Sequence, residues 1–80
     1  MNSASDSQID EAILSVTGVF WRKTSLVILK AAKTMGKGLP EGDAGFNLVA
    51  KRVETLVQDG ALLAQGDITN WRCSEVRTPN

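Results

Sequence analysis

Apolar residues recur along this chain at helical spacing three times, and then the period changes. Ile9, Ala12, Ile13 and Val16 stand at i, i+3, i+4 and i+7, one face of a helix expected over about Ser7 to Thr17. Ser5, Asp6 or Ser7 can cap it, Asp10 and Glu11 sit near its positive end, and Gly18 follows as a stop. The next stretch, about Trp21 to Met35, carries Trp21, Ile28, Ala31, Ala32 and Met35 mainly on one side, with Val27 and Leu29 widening the apolar arc. It is expected to be the central, most buried helix. Lys37 to Gly45 holds three glycines and a proline and reads as a loop anchored by Leu39. Asp43 is the expected N-cap of a third helix over about 44–59, whose stripe is Phe46, Val49, Ala50, Val53, Leu56 and Val57, with Gly60 ending it.

Beyond Gly60 the length and the β-branched or aromatic content favour a hairpin, with strands at about 61–66 and 71–77 around Gly66-Asp67-Ile68-Thr69-Asn70. Alternation in the second strand is imperfect. Val76 shares its parity with Ser74 and Arg72 while Trp71 and Cys73 fall on the other face, so an inward side needs a bulge. The division expected is a disordered start at 1–6, a single domain at 7–77 and a frayed end at 78–80. The fold class is α+β, mainly α.

Helix, helix, helix, hairpin in about 70 residues is similar to the order used by the winged helix-turn-helix superfamily. More narrowly, Arg52-Val53-Glu54-Thr55-Leu56-Val57-Gln58-Asp59-Gly60-Ala61-Leu62, then Gly66-Asp67 and the ending Arg72-Cys73-Ser74-Glu75-Val76-Arg77, resembles an uncharacterised family of bacterial winged-helix domains with a C-terminal Ser-Glu-Val-Arg segment, often fused behind another domain. The resemblance implies a small bacterial protein or accessory module. It brings no catalytic or binding residue with it.

Eighty residues allow one modest core, burying about 60 to 65 % of the surface of the unfolded chain. Nine Lys plus Arg balance nine Asp plus Glu, so overall charge does not argue for an anionic partner. With one cysteine and no histidine, neither an internal disulfide nor a Cys/His zinc site can form. The first residues carry no basic and apolar leader and no apolar run is long enough to span a bilayer, so the expectation is a cytoplasmic protein without a membrane partner.

Chemistry has little to start from. There is no His and no Tyr for acid–base work. Asp67 and Glu75 are the nearest to a carboxylate pair, with Arg72 and Arg77 beside them in an expected strand-edge ion pair. Cys73 lacks a base and reads as a small, half-buried strand residue. Gly36-Lys37-Gly38 lacks the spacing of a phosphate loop. No catalysis and no metal, nucleotide or small-molecule cofactor are expected.

Binding is the remaining class. Candidate nucleic-acid contacts are Asn47, Lys51, Arg52, Thr55 and Gln58 on the outer face of the third helix, with Arg72 from the hairpin. Glu54, Asp59 and Asp67 oppose them. A basic stripe of Lys23, Lys30, Lys33 and Lys37 is spaced by seven, three and four, and no acid occurs between Ala12 and Pro40. It can bind phosphate, meet an acidic protein or simply keep an apolar helix solvated, the last ranking first. Phe20, Trp21 and Trp71 are large for so small a chain. Trp21 is expected to fill the gap between the first two helices, and Trp71 is either a cover for the third helix or an apolar contact. The expected role is a protein-interaction or adaptor module, with a protein partner or homodimer ahead of DNA. The alternative is a DNA-binding regulator using the third helix and the hairpin.

Overall fold

The computed structural model describes residues 5–79 and places three helices beside a small antiparallel sheet. The first helix, α1, spans Asp6–Thr17. Ser5 caps it reciprocally: its hydroxyl accepts from the Gln8 amide at 3.2 Å, while the Gln8 side chain accepts from the Ser5 amide at 2.9 Å. Ile9, Ala12 and Ile13 are buried as expected, and Val16 is half-buried. Gly18, at φ 77°, turns the chain out of the helix. Arg22 reaches back to donate from Nε to the Thr17 carbonyl at 2.7 Å, putting a cation on the negative end of α1. Asp6, placed in the expected disordered start, thus belongs to the helix, and Ser5 is the one of the three candidate caps that caps it; residues 1–4 lie outside the described residues.

The second helix begins later than its periodicity suggests. Strand β1, Arg22–Lys23, pairs antiparallel with a C-terminal strand, and α2 runs Thr24–Met35. A two-residue strand is too short to leave a periodic trace, so its residues were absorbed into the expected helix. The boundary is fixed by Thr24, fully buried at the start of α2, whose hydroxyl accepts from the Ser74 hydroxyl at 2.8 Å. Val27, Ile28 and Ala31 bury the inward side, whereas Leu29 is 41 % exposed. The helix is central, packing on α1, on the third helix and on two strands. Four of its 12 residues are buried, the same share as in α1 and about that of the third helix, where five of 16 are.

A 3-10 turn, Gly36–Gly38, leads to Leu39, half-buried against the core as expected. Helix α3 spans Asp43–Gln58 with Gly42, rather than Asp43, at its N-cap; Asp43 instead places its carboxylate in the first turn. Val49, Ala50, Val53 and Leu56 are buried and Phe46 and Val57 half-buried, the stripe read from the sequence. The exit is a Schellman turn. The Gly60 amide donates to the Val57 carbonyl at 3.1 Å and the Ala61 amide to the Leu56 carbonyl at 2.9 Å, with Gly60 at φ 86°.

Strands β2, Leu63–Gly66, and β3, Ser74–Arg77, are shorter than expected. Ala61 and Leu62 complete the helix exit, and Trp71 to Cys73 belong to the connecting loop. That removes the parity conflict: without Trp71 and Cys73 in the strand, Ser74 and Val76 face the core and Glu75 and Arg77 face out. Cys73, expected to be a half-buried strand residue, is exposed in the loop. The sheet order is β1-β3-β2, antiparallel throughout. Thr78, expected to fray, is tied to the Gly18 carbonyl by its amide at 2.8 Å and its hydroxyl at 3.0 Å; Asn80 lies outside the described residues.

Candidate functional site

The outer side of α3 and the β2–β3 loop enclose a groove centred on Trp71. The loop holds its shape through Asp67. Its Oδ1 accepts from the Thr69 hydroxyl at 2.6 Å and the Thr69 amide at 3.0 Å, its carbonyl takes the Asn70 amide at 2.9 Å, and the Asn70 carbonyl takes the Cys73 amide at 2.8 Å. The Thr69 hydroxyl, and after it the Thr69 amide, hold the Asp67 carboxyl below the usual aspartate range. Trp71 is thereby laid half-buried against the core, with the Arg72 guanidinium 4.9 Å from its ring centroid.

Two adjoining hollows meet at Asn47, Thr69 and Trp71. One, of about 470 Å³, adds Asp43, Phe46 and Arg72. The other, of about 500 Å³, adds Leu48, Lys51 and Glu54. Asn47, Lys51 and Arg72, three of the candidate contacts, therefore line one groove. Each hollow sets one cation against one carboxylate: Arg72 with Asp43, Lys51 with Glu54. Asp67 adds a further negative charge at the head of the loop.

The other candidates lie elsewhere. Arg52 turns toward α1, donating from Nε to Asp10 Oδ1 at 2.9 Å and from NH2 to Asp10 Oδ2 at 2.8 Å, with Asp6 at 3.6 Å. This bidentate bond, reinforced by the charges of Asp10, Asp6 and Asp59, holds the guanidinium above its ordinary pKa. Arg52 is thus a tie between α1 and α3 and is withdrawn from the groove. The Thr55 hydroxyl is turned to the Lys51 carbonyl at 3.1 Å, and Gln58 is exposed in the last turn, away from the residues lining the groove. Spacing alone could not show this, because position 52 borders the buried stripe on the side facing α1.

The expected basic stripe is broken. Lys30 and Lys33 are exposed on α2, but Lys23 belongs to β1, where its cross-strand neighbour is Glu75. The Lys37 side chain lies outside the described residues. Glu75 also takes a different partner from the one expected, accepting from the Gln65 amide group rather than pairing with Arg72 or Arg77. Among the described residues no cluster of three or more His, Cys, Asp or Glu could hold a metal ion, and no helix is long and apolar enough to cross a membrane.

Trp21 is the largest departure from the sequence reading. It does not fill the space between α1 and α2 but stands 40 % exposed on the outer side of the sheet, its ring 5.2 Å from the Arg77 guanidinium. The β1–β3 register places it across from Arg77, and Leu63 flanks Arg77 from β2, so Trp21, Arg77 and Leu63 form one outward row and Lys23, Glu75 and Gln65 the next. Val19 and Phe20 continue the apolar surface, Phe20 at 77 % exposure. Three consecutive apolar residues directly after a helix-ending glycine were the available signal. No protein-family model, curated protein or solved structure matches this chain.

Proposed function

We propose that this chain is a winged-helix domain that binds a protein and performs no catalysis. The order α1-β1-α2-α3-β2-β3, with β1 closing a three-stranded sheet, supports the winged-helix reading: α3 occupies the place of the recognition helix and the β2–β3 loop that of the wing. The observation that carries the functional reading is the charge of the groove between them. A surface built to hold phosphate concentrates cations, since phosphate neutralisation supplies most of the affinity. Here each cation of the groove is matched by a carboxylate, and the second cation of α3, Arg52, is bound to Asp10. What remains is an aromatic floor, Phe46 and Trp71, inside a mixed polar rim, the composition of a protein-binding patch.

A DNA-binding regulator is the second reading, favoured by the meeting of Asn47, Lys51 and Arg72 in one groove. Fluorescence anisotropy of a labelled mixed-sequence duplex, at low and at physiological salt, separates the two. The protein-binding reading expects any association to vanish at physiological salt and to be insensitive to Lys51→Ala with Arg72→Ala. Salt-resistant binding that the double variant weakens at least about tenfold would give the groove to DNA.

A further inference from the structure

The geometry points to the outer face of the sheet, with Val19, Phe20 and Trp21 at its corner, as the contact through which two copies of this chain pair. This rests on the protein-binding reading and names its partner and its surface. Antiparallel sheets can leave one face to water, and such a face is ordinarily polar. Here one outward row is Trp21, Arg77 and Leu63, and Phe20 beside it is the most exposed large apolar residue among those described.

The patch is held in place by bonds to the end of the chain. The Thr78 amide and hydroxyl both bond the Gly18 carbonyl, Arg77 donates to the carbonyls of Val19 and Thr78 at 3.4 and 3.3 Å, and its guanidinium covers the Trp21 ring. An apolar surface fixed in its exposed conformation loses little conformational entropy on association.

Charge selects a second copy as the occupant. A two-fold interface must be complementary to itself, so that residue i meets j of the partner and j meets i. The polar row supplies one cation and one carboxylate side by side, Lys23 and Glu75. Turned face to face about a two-fold axis along the strands between Lys23 and Glu75, Lys23 of each copy meets Glu75 of the other while the row of Trp21, Arg77 and Leu63 closes over its counterpart. Arg77 is already engaged within its own chain. The formal net charge of +0 leaves no long-range repulsion between copies.

Sedimentation equilibrium over about 10 µM to about 1 mM tests this, a range suited to a small interface. The parent chain is expected to dimerise, and Phe20→Ser or Leu63→Lys to weaken the dimer at least about tenfold with an unchanged circular dichroism spectrum. Lys23→Glu alone and Glu75→Lys alone should each be monomeric, yet their mixture should dimerise, because only across the interface do the altered charges then complement. A parent chain that stays monomeric overturns the pairing while leaving the protein-binding reading to the DNA measurement. A dimer indifferent to these substitutions, or variants that do not complement on mixing, overturns the choice of face.

Discussion

The bond between Thr24 and Ser74 joins the start of α2 to β3, and its worth can be worked out from its surroundings. Thr24 is 0 % and Ser74 4 % exposed, so neither hydroxyl can turn to solvent. Ser74 donates to Thr24 Oγ1 at 2.8 Å, and no buried side-chain nitrogen or oxygen among the described residues lacks a partner. Ser74→Ala removes the donor and strands the Thr24 oxygen, which costs about 1–3 kcal/mol. In a domain of this size each kcal/mol lowers Tm by about 4–8 °C, so the midpoint should fall by roughly 5–20 °C. Thr24→Val keeps the side-chain shape and strands Ser74 instead, at a similar cost. The double variant removes both polar groups and should be less destabilised than the sum of the singles by about 1–2 kcal/mol. Urea unfolding followed by circular dichroism measures all four corners of the cycle. If Ser74→Ala stays within about 0.5 kcal/mol of the parent, or the two changes simply add, the hydroxyls are not a buried pair and the start of α2 is held to β3 by something else.

Four other substitutions probe the helices and the loop that carry the groove. Gly45→Ala should destabilise, because a Cβ there would lie 2.3 Å from the Pro40 carbonyl oxygen, whereas helix propensity alone would give a gain of about 1 kcal/mol; the sign of the change in thermal midpoint decides between them. Arg52→Met and Asp10→Asn should each loosen the packing of α1 on α3 and be non-additive in a double-mutant cycle, while additivity would deny the bidentate contact. Because the Asp67 carboxyl is held below its ordinary pKa, its contribution to loop order is full above the unfolded value and lost as pH falls through the lower folded one. The Thr69 amide resonance should therefore titrate below the usual aspartate range, and Thr69→Ala should raise that midpoint; an unmoved midpoint would discount the hydroxyl bond.

What the sequence revealed followed periodicity. α1 and α3 were legible within a residue because each carries a sustained apolar stripe and an identifiable stop, Gly18 for one and Gly60 for the other; which of Ser5, Asp6 and Ser7 caps α1 was left open, and the structure gives it to Ser5. β1 was not, since Arg22 and Lys23 acquire their strand character only by pairing with Val76 and Glu75, more than fifty residues away. Missing β1 also misplaced Trp21, moving it from the sheet face into the core. Residue types for a binding surface were visible on α3, but which of them were free was not: Lys51 and Arg52 are adjacent cations, and Arg52 is bound to Asp10. Pairings of this kind are set by tertiary contact, which no local pattern encodes.

We propose that the groove of α3 and the β2–β3 loop is a protein-binding and not a phosphate-binding surface. An amide NMR titration with mixed-sequence duplex DNA, at low and at physiological salt, tests it residue by residue. No shifts are expected at physiological salt in Asn47 to Gln58 or in Thr69 to Arg72, and at low salt only weak shifts at exposed lysines such as Lys30 and Lys33. Shifts concentrated on Asn47, Lys51 and Arg72 that persist at physiological salt would contradict it.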